Sequence, residues 1–417
     1  MPLIRSIVLT FAFAALSAGQ PATRVEEIEQ ARNRKESALR PEEVSTAERF
    51  FRDFKDKKWL ERIGAGYNGF RVKLGNMVTG GGFAAGPEYF REDLLDGNLT
   101  VRSSAQVSTR RYLKIEAETA APKLWGGRIE LNLVGSYRNY GSLNYYGPGP
   151  DSSKTSRTNY RLEDTSIDGI GTFHPSRYIR AGGSVGALRV NVGPGTDSRF
   201  ASSERVFSSL QVPGLDRQTN HLRTGVFGQL DYRDNPHGPK SGGNYVFQYS
   251  WYDDRKLGMF GFRRMDIDAQ QFIPFLNKTH RFALRAKGTF TDSSGGQTTP
   301  FYLQPVLGGS DDLRGFLPFR FSDRNKVIYN AEYQWEVFAG LEGALFFDAG
   351  KVMPRRGQLA FSDLEASTGF GLRFNAANAT FIRIDVGFSH EGVQVWFKFN
   401  DAFNSRRIGT TTGQPVY

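Results

Sequence analysis

Two neighbouring stretches of the sequence alternate between apolar and polar side chains with a period of two residues. From Val327 to Val337 every odd position is apolar or aromatic, whereas the even positions are mostly polar and include Glu332. In the next stretch Phe347 lies on one face and Asp348 on the opposite one. Because successive side chains of a β-strand point to opposite sides, both stretches are predicted to be strands with one apolar and one polar face.

The same alternation recurs along the chain, between clusters of turn-forming Gly, Pro, Asn and Ser. Four further stretches show it: Ile129–Leu133, Tyr245–Trp251, Phe282–Phe290 and Val393–Phe399. Apolar residues facing lipid and polar residues facing a lumen explain all of them together. A single strand would also suit a soluble sandwich, which buries its apolar face. A stack of sandwiches, however, would need two domains and would not alternate Arg, Lys and Glu so regularly within long strands.

The length of the chain sets the number of strands. About 340 residues, at roughly 10 per spanning strand and about 12 per connection, correspond to some 16 strands. The predicted fold class is therefore all-β: a transmembrane antiparallel β-barrel with a short N-terminal periplasmic helical segment. A mean hydropathy of −0.45 excludes a helical membrane bundle, and 47 Gly with 34 Phe favour strands joined by turns.

Four segments are expected in the chain. Residues 1–19, with one early Arg, an apolar run and small residues, predict a secretory signal peptide rather than a buried helix. Residues 20–61 predict a short periplasmic helical or disordered segment, with a helix over 42–61 that packs on the barrel mouth or, alternatively, binds a partner. Residues 62–403 are assigned to the barrel and 404–417 to a polar C-terminal tail.

Composition also limits the partners. The net charge of +11 is scattered along the sequence without a basic stripe or a nucleic-acid-binding motif, so contact with acidic outer-membrane lipids explains it better than nucleic acid. The chain has no cysteine, which fits an oxidising compartment.

Catalysis has little support in the sequence. The five histidines lack metal-ligand spacing, and no Gly-x-Ser-x-Gly elbow occurs. Ser389, His390 and Glu391 are adjacent, but neighbouring strand residues point to opposite faces. The chain is therefore expected not to be an enzyme and to bind neither a metal nor a cofactor.

Three motifs in the last 190 or so residues carry a family resemblance. The first is a run of small and charged residues that ends in Leu313, Arg314, Gly315 and Phe316. The second is a strand motif of Phe346, Asp348 and Gly350, preceded by Glu332 on the previous strand. The third is a hairpin sequence formed by Arg233, Asp234, Asn235, Pro236, Pro239 and Gly242. Together they resemble the outer-membrane protein assembly-factor superfamily, also called the bacterial surface antigen family.

The resemblance implies a role for each residue of the loop tip. The loop that carries Arg314 would fold into the barrel, and its guanidinium would bind Asp348 with Glu332 nearby. Gly315 fits a tight tip, because a residue without a Cβ can take a positive φ and allow close backbone approach, and Phe316 would be an apolar anchor.

The resemblance also implies a function. The barrel would reside in the outer membrane, with monomer the favoured state, and would insert or translocate client outer-membrane or secreted proteins, or lipids, through a lateral seam between its first and last strands. The periplasmic polypeptide-transport-associated domains of that family have no room in residues 20–61. The alternative is a passive channel or a structural surface-antigen barrel with an inward plugging loop.

Overall fold

The structure is a computed structural model that describes part of the chain. It describes residues 66–399, except 277–278, 294, 339 and 377–378, together with Glu29, Arg32 and Phe403. Glu29 and Arg32 are helical. The expected signal peptide, the helix over 42–61 and the C-terminal tail lie outside the described residues.

Sixteen strands form one antiparallel sheet, in which each strand pairs with the next one along the chain. This confirms the predicted barrel of about 16 strands. The strands are β1 Phe70–Gly75, β2 Ala84–Leu94, β3 Leu99–Ser108, β4 Leu113–Lys123, β5 Ile129–Tyr145, β6 Thr158–Phe173, β7 Ile179–Pro194, β8 Thr219–Asp231, β9 Gly242–Asp254, β10 Phe262–Phe275, β11 His280–Asp292, β14 Asn325–Phe338, β15 Leu341–Met353, β16 Glu365–Ala376, β17 Ala379–Ser389 and β18 Gly392–Lys398.

Within residues 66–399 the remaining elements are small and lie in the connections. Two short strands, β12 Val306–Leu307 and β13 Phe321–Ser322, pair with each other. The helical turns are Leu124–Gly127, Lys154–Ser156, Ser203–Val206, Phe301–Leu303 and Arg356–Gln358. Within the described ranges, no helix has the length and apolar character needed to cross a bilayer.

The two faces of the sheet have the polarity expected of a barrel in lipid. Leu345 and Phe347 on β15 are 51% and 48% exposed, whereas the alternate residues Phe346 and Asp348 are buried. On β14 the polar residue Glu332 is likewise buried. The enclosed face therefore carries the charged side chains and the open face the apolar ones, the reverse of a soluble sandwich.

Most connections at one end of the barrel are short turns, and the longest connections, 195–218 and 293–324, lie at the other end. In outer-membrane barrels the short turns are periplasmic and the longer loops extracellular. The loops so assigned to the extracellular end are 76–83, 109–112, 146–157, 195–218, 255–261, 293–324, 354–364 and 390–391.

An apolar core fills the extracellular end of the barrel interior. The loop 195–218 contributes Val212 and Leu215, and the loop 293–324 contributes Phe301 and Tyr302. These side chains pack with inward-facing residues of the wall strands: Tyr140, Leu143, Tyr160, Leu162, Leu188, Val190, Tyr252 and Phe262. Two extracellular loops therefore pack inside the barrel, above a polar lumen.

Candidate functional site: the inward loop and the seam

Residues 308–318, hereafter the inward loop, are held in the barrel by apolar side chains. Leu313 and Phe316 are fully buried, in a cluster that includes Ile328 of β14 and Val352 of β15. Because burying a large apolar side chain contributes about 1.5–3 kcal/mol, these two contacts help to keep the loop inside. Phe316 thus lies where the sequence analysis expected an apolar anchor.

Arg314 lies at the centre of a charged cluster in the lumen. Its Nε and Nη2 donate to the two carboxylate oxygens of Asp348, at 2.8 and 2.6 Å, and its Nη1 donates to Glu332. The guanidinium also lies 3.5 Å from the centroid of the Phe346 ring. Burial alone would lower the pKa of Arg314, but Asp348 and Glu332 raise it well above its usual value. The structure therefore brings together the loop Arg and the wall residues named from the sequence, with Arg314 charged.

The charged cluster extends over more strands than the sequence indicated. Arg373 of β16 donates to Glu332 at 3.1 Å and also to Asp385 of β17. Arg383 of β17 lies 3.2 Å from Asp385. The cluster therefore contains three arginines, Arg314, Arg373 and Arg383. Their three positive charges balance the negative charges of Glu332, Asp348 and Asp385. The expected contact with two wall strands is in fact a network across four, β14 to β17.

Gly315 allows the close backbone approach that was expected of it. It is not among the described residues with positive φ, so the loop tip does not use the freedom of glycine to adopt one. A Cβ atom at Gly315 would lie 2.6 Å from Ser367 Cβ and 2.8 Å from the Phe388 carbonyl oxygen. On the wall, a Cβ at Gly387 would lie 2.5 Å from the Arg314 carbonyl. Two glycines thus let the loop backbone approach β17 closely, and the sequence analysis missed Gly387.

The loop backbone is also bound by side chains near the last strand. Trp396 of β18 donates its Nε1 proton to the Arg314 carbonyl at 2.7 Å, and Ser389 donates its hydroxyl proton to the Gly315 carbonyl at 2.8 Å. Gly350, on β15, lies beside the Val327 carbonyl and Leu307. The two hydrogen bonds hold the backbone of the loop tip, at Arg314 and Gly315, against β17 and β18.

One carboxylate of the inward loop contacts both ends of the sheet. Thr79, in the loop after β1, donates its hydroxyl proton to Asp311 at 3.2 Å. Arg383 donates to Asp311 at 3.1 Å, and Lys398 of β18 lies 3.4 Å from it. The Asp311 side chain is 38% exposed, unlike the buried Arg314. We call this contact the Asp311 clasp, which the sequence analysis did not identify.

The hairpin motif lies at the periplasmic end, in the turn between β8 and β9. Arg233 donates to both oxygens of Asp231, at 2.8 and 2.6 Å. Asp234 Oδ1 accepts the backbone protons of Lys240 and Ser241, at 2.9 and 3.1 Å. Asn235, Pro236, Pro239 and Gly242 complete this turn, with Gly242 at φ +94°. The motif shapes the connection 232–241 and is not part of the charged cluster.

Comparison with known proteins places the chain among outer-membrane barrels. Residues 94–401 match the Omp85 superfamily domain. The structure of BamA from Haemophilus ducreyi lacking POTRA domains 1-3 is 14% identical and superposes with a TM-score of 0.60, over 80% of this chain and 69% of that one.

CdiB from Escherichia coli is 11% identical, with a TM-score of 0.54, over 80% of this chain and 62% of that one. The present chain therefore spans less than two thirds of CdiB. No curated protein matches the sequence. At these identities the likeness is one of fold.

Proposed function

The chain belongs to the Omp85 superfamily, and from that premise we propose that it assists the insertion or translocation of proteins through a lateral seam between β1 and β18. The family consists of non-enzymatic outer-membrane barrels whose members interact with client proteins. The observation that carries the proposal is that, among the described residues, no β-ladder joins β1 to β18, whereas every other pair of neighbouring strands is joined.

The two edges at the seam are short and weakly joined. β1 has six residues and β18 has seven, compared with 17 in β5. Where the edges meet, the backbone N–H of Phe399 donates to Asn76 Oδ1 at 3.4 Å. An unpaired strand edge presents free N–H and C=O groups that can template an incoming strand. An extended client segment could therefore add to β1 or β18 without first breaking a ladder.

The Asp311 clasp is suited to hold such a seam reversibly. Ion pairs that are exposed to water contribute only about 0–1 kcal/mol, whereas removing one partner of a buried pair costs about 3–5 kcal/mol. Asp311 is 38% exposed but its partners Arg383 and Lys398 are buried, so its contacts lie between these two limits and are weaker than the fully buried contacts of Arg314. The contacts of Asp311 would therefore break first, while those of Arg314 keep the inward loop on β14 to β17. The seam would open without release of the loop.

A passive channel has less support. The apolar core formed by the loops 195–218 and 293–324 fills the extracellular end of the interior, where a pore would need an open polar path. A structural barrel with a plugging loop would not need an unpaired pair of edges.

Locking the seam should abolish client insertion if the proposal is right. Because the chain has no cysteine, Asn76→Cys with Phe399→Cys would introduce a single disulfide across the seam. We expect the oxidised protein to lose insertion of a client barrel into liposomes, measured by the heat-modifiable migration of the client, and reductant to restore it. The control is Val386→Cys with Val395→Cys, which lie opposite each other in an existing ladder. Full insertion by the seam-locked protein would rule out this route.

Removing the charge of Asp311 should loosen the seam. Asp311→Asn weakens the contacts with Arg383 and Lys398, so the two edges should separate more often. In the Asn76→Cys, Phe399→Cys background we expect the rate of disulfide formation to fall severalfold. The control is Asp312→Asn, because the neighbouring Asp312 binds Lys326 of β14, at 3.0 Å, rather than a seam strand. Equal rates in the parent and both variants would show that Asp311 does not hold the seam.

A further inference from the structure

Three apolar side chains at the extracellular end of the outer wall are buried, although they belong to the lipid-facing side of their strands. Phe290, Val327 and Met353 are only 9%, 5% and 2% exposed. Strand alternation places Phe290 on the same face as Phe282, which is 46% exposed, and Met353 on the same face as Leu345, which is 51% exposed. Protein must therefore cover the outer wall at this point.

The covering segment is the extracellular loop 354–364. Its Phe361 ring contacts the ring of Tyr329, an outward-facing residue of β14, with 5.6 Å between centroids. Its Arg356 guanidinium lies 5.8 Å from the centroid of the Phe290 ring. The loops 195–218 and 293–324 pack inside the barrel, whereas this loop lies against its outside.

The loop presents apolar and basic side chains together. Phe361 is 80% exposed and Leu359 is 50% exposed, while Arg355 and Arg356 are exposed beside them. The charged residues within the loop are Arg355, Arg356 and Asp363, and Lys351 donates to the Ser362 carbonyl at 3.2 Å, which leaves an excess of positive charge. Exposed apolar side chains next to basic ones are typical of segments that enter the interfacial region of an anionic membrane.

A groove continues from the loop down the outer wall. It encloses about 360 Å³ and has a floor of small residues, Ala269, Ala286 and Ala331. Ala269 and Ala286 lie directly opposite each other in the sheet. The walls are formed by larger side chains: Tyr245, Leu284, Tyr329 and Phe347. Because Tyr329 also contacts Phe361, the groove begins where the loop ends.

We propose that the loop 354–364 and this groove form a binding site for a phosphate-bearing lipid of net negative charge in the outer leaflet. The phosphate binds Arg355 and Arg356, and an acyl chain lies along the alanine floor. Arginine binds phosphate through paired hydrogen bonds, and the apolar groove matches an alkyl chain. The site lies on β9 to β15, away from β1 and β18, and it does not depend on the seam.

Lipid retention tests the headgroup contact. We would purify the protein from nanodiscs of phosphatidylcholine that contain a minor fraction of phosphatidylglycerol, and identify the retained lipid by native mass spectrometry. We expect preferential retention of phosphatidylglycerol, and a severalfold loss of that preference in Arg355→Glu with Arg356→Glu. The control is Arg205→Glu with Arg217→Glu, the same charge change on the loop 195–218. An unchanged preference in the Arg355, Arg356 variant would refute the site.

The depth of the loop supplies a second test that does not require lipid retention. A nitroxide attached to Phe361→Cys should collide mainly with oxygen dissolved in the bilayer. The same label on Leu210→Cys, a 94% exposed residue of the loop 195–218, should collide mainly with a water-soluble relaxing agent. Similar accessibility to the aqueous agent at both positions would show that the loop 354–364 stays out of the membrane, and the proposal would fail.

Discussion

Arg314→Ala should cost about 3–5 kcal/mol in the free energy of folding, because it leaves buried carboxylates without their partner. Asp348 is fully buried and Glu332 is 1% exposed, so water cannot replace the guanidinium. Arg314→Lys should also be defective, since an ammonium group cannot donate two parallel hydrogen bonds to Asp348. The folded fraction, followed by heat-modifiable migration across a urea titration, measures the loss.

A double-mutant cycle shows whether the pair itself carries this loss. Arg314→Ala combined with Asp348→Ala should be less damaging than the sum of the single variants, because the double variant leaves no stranded partner at that contact. The control is the exposed pair of Arg255 and Asp253, 2.8 Å apart and 62% and 58% exposed. Its disruption should cost about 0–1 kcal/mol. Strict additivity at Arg314 and Asp348 would contradict the anchor.

The sequence predicted the wall of the barrel well because lipid on one side and a lumen on the other impose a period of two on each strand. Turn chemistry is also local, so the hairpin around Asp234 could be read from adjacent residues. The network around Arg314 could not be completed in this way. In the sequence, Arg373 and Asp385 are only polar residues within strands whose side chains alternate between apolar and polar. Their meeting with Glu332 depends on how the sheet curves around the inward loop.

The same limit explains what was missed at the loop backbone and at the seam. Gly387 is far from the inward loop in sequence. Position 387 requires a residue without a Cβ only because the Arg314 backbone packs against β17 there. In the sequence, Asp311 cannot be distinguished from any other acidic loop residue. Its role depends on the fold, which brings residues near β1 and β18 to it. The segment 354–364 has no periodic pattern, and nothing in its sequence shows that it lies against the outside of the wall.

Arginine in place of Phe347 tests the lipid-facing assignment, and its effect should depend on depth. Phe347 lies at the middle of β15 and points outward, so Phe347→Arg should cost about 2–4 kcal/mol if the bilayer midplane is at that height. Trp335 lies close to the periplasmic end of β14, opposite His280 at the start of β11.

Trp335→Arg is the matched comparison, because an arginine near the interface can extend its charge to the headgroups and should cost about 0–1 kcal/mol. The same urea titration, in phospholipid vesicles, gives both values. If outward-facing residues were exposed to water, neither arginine would have to be desolvated, and the two variants would be equally stable. A large cost at Phe347 with a small one at Trp335 requires an apolar layer centred on the middle of β15, which is what a membrane-spanning strand provides.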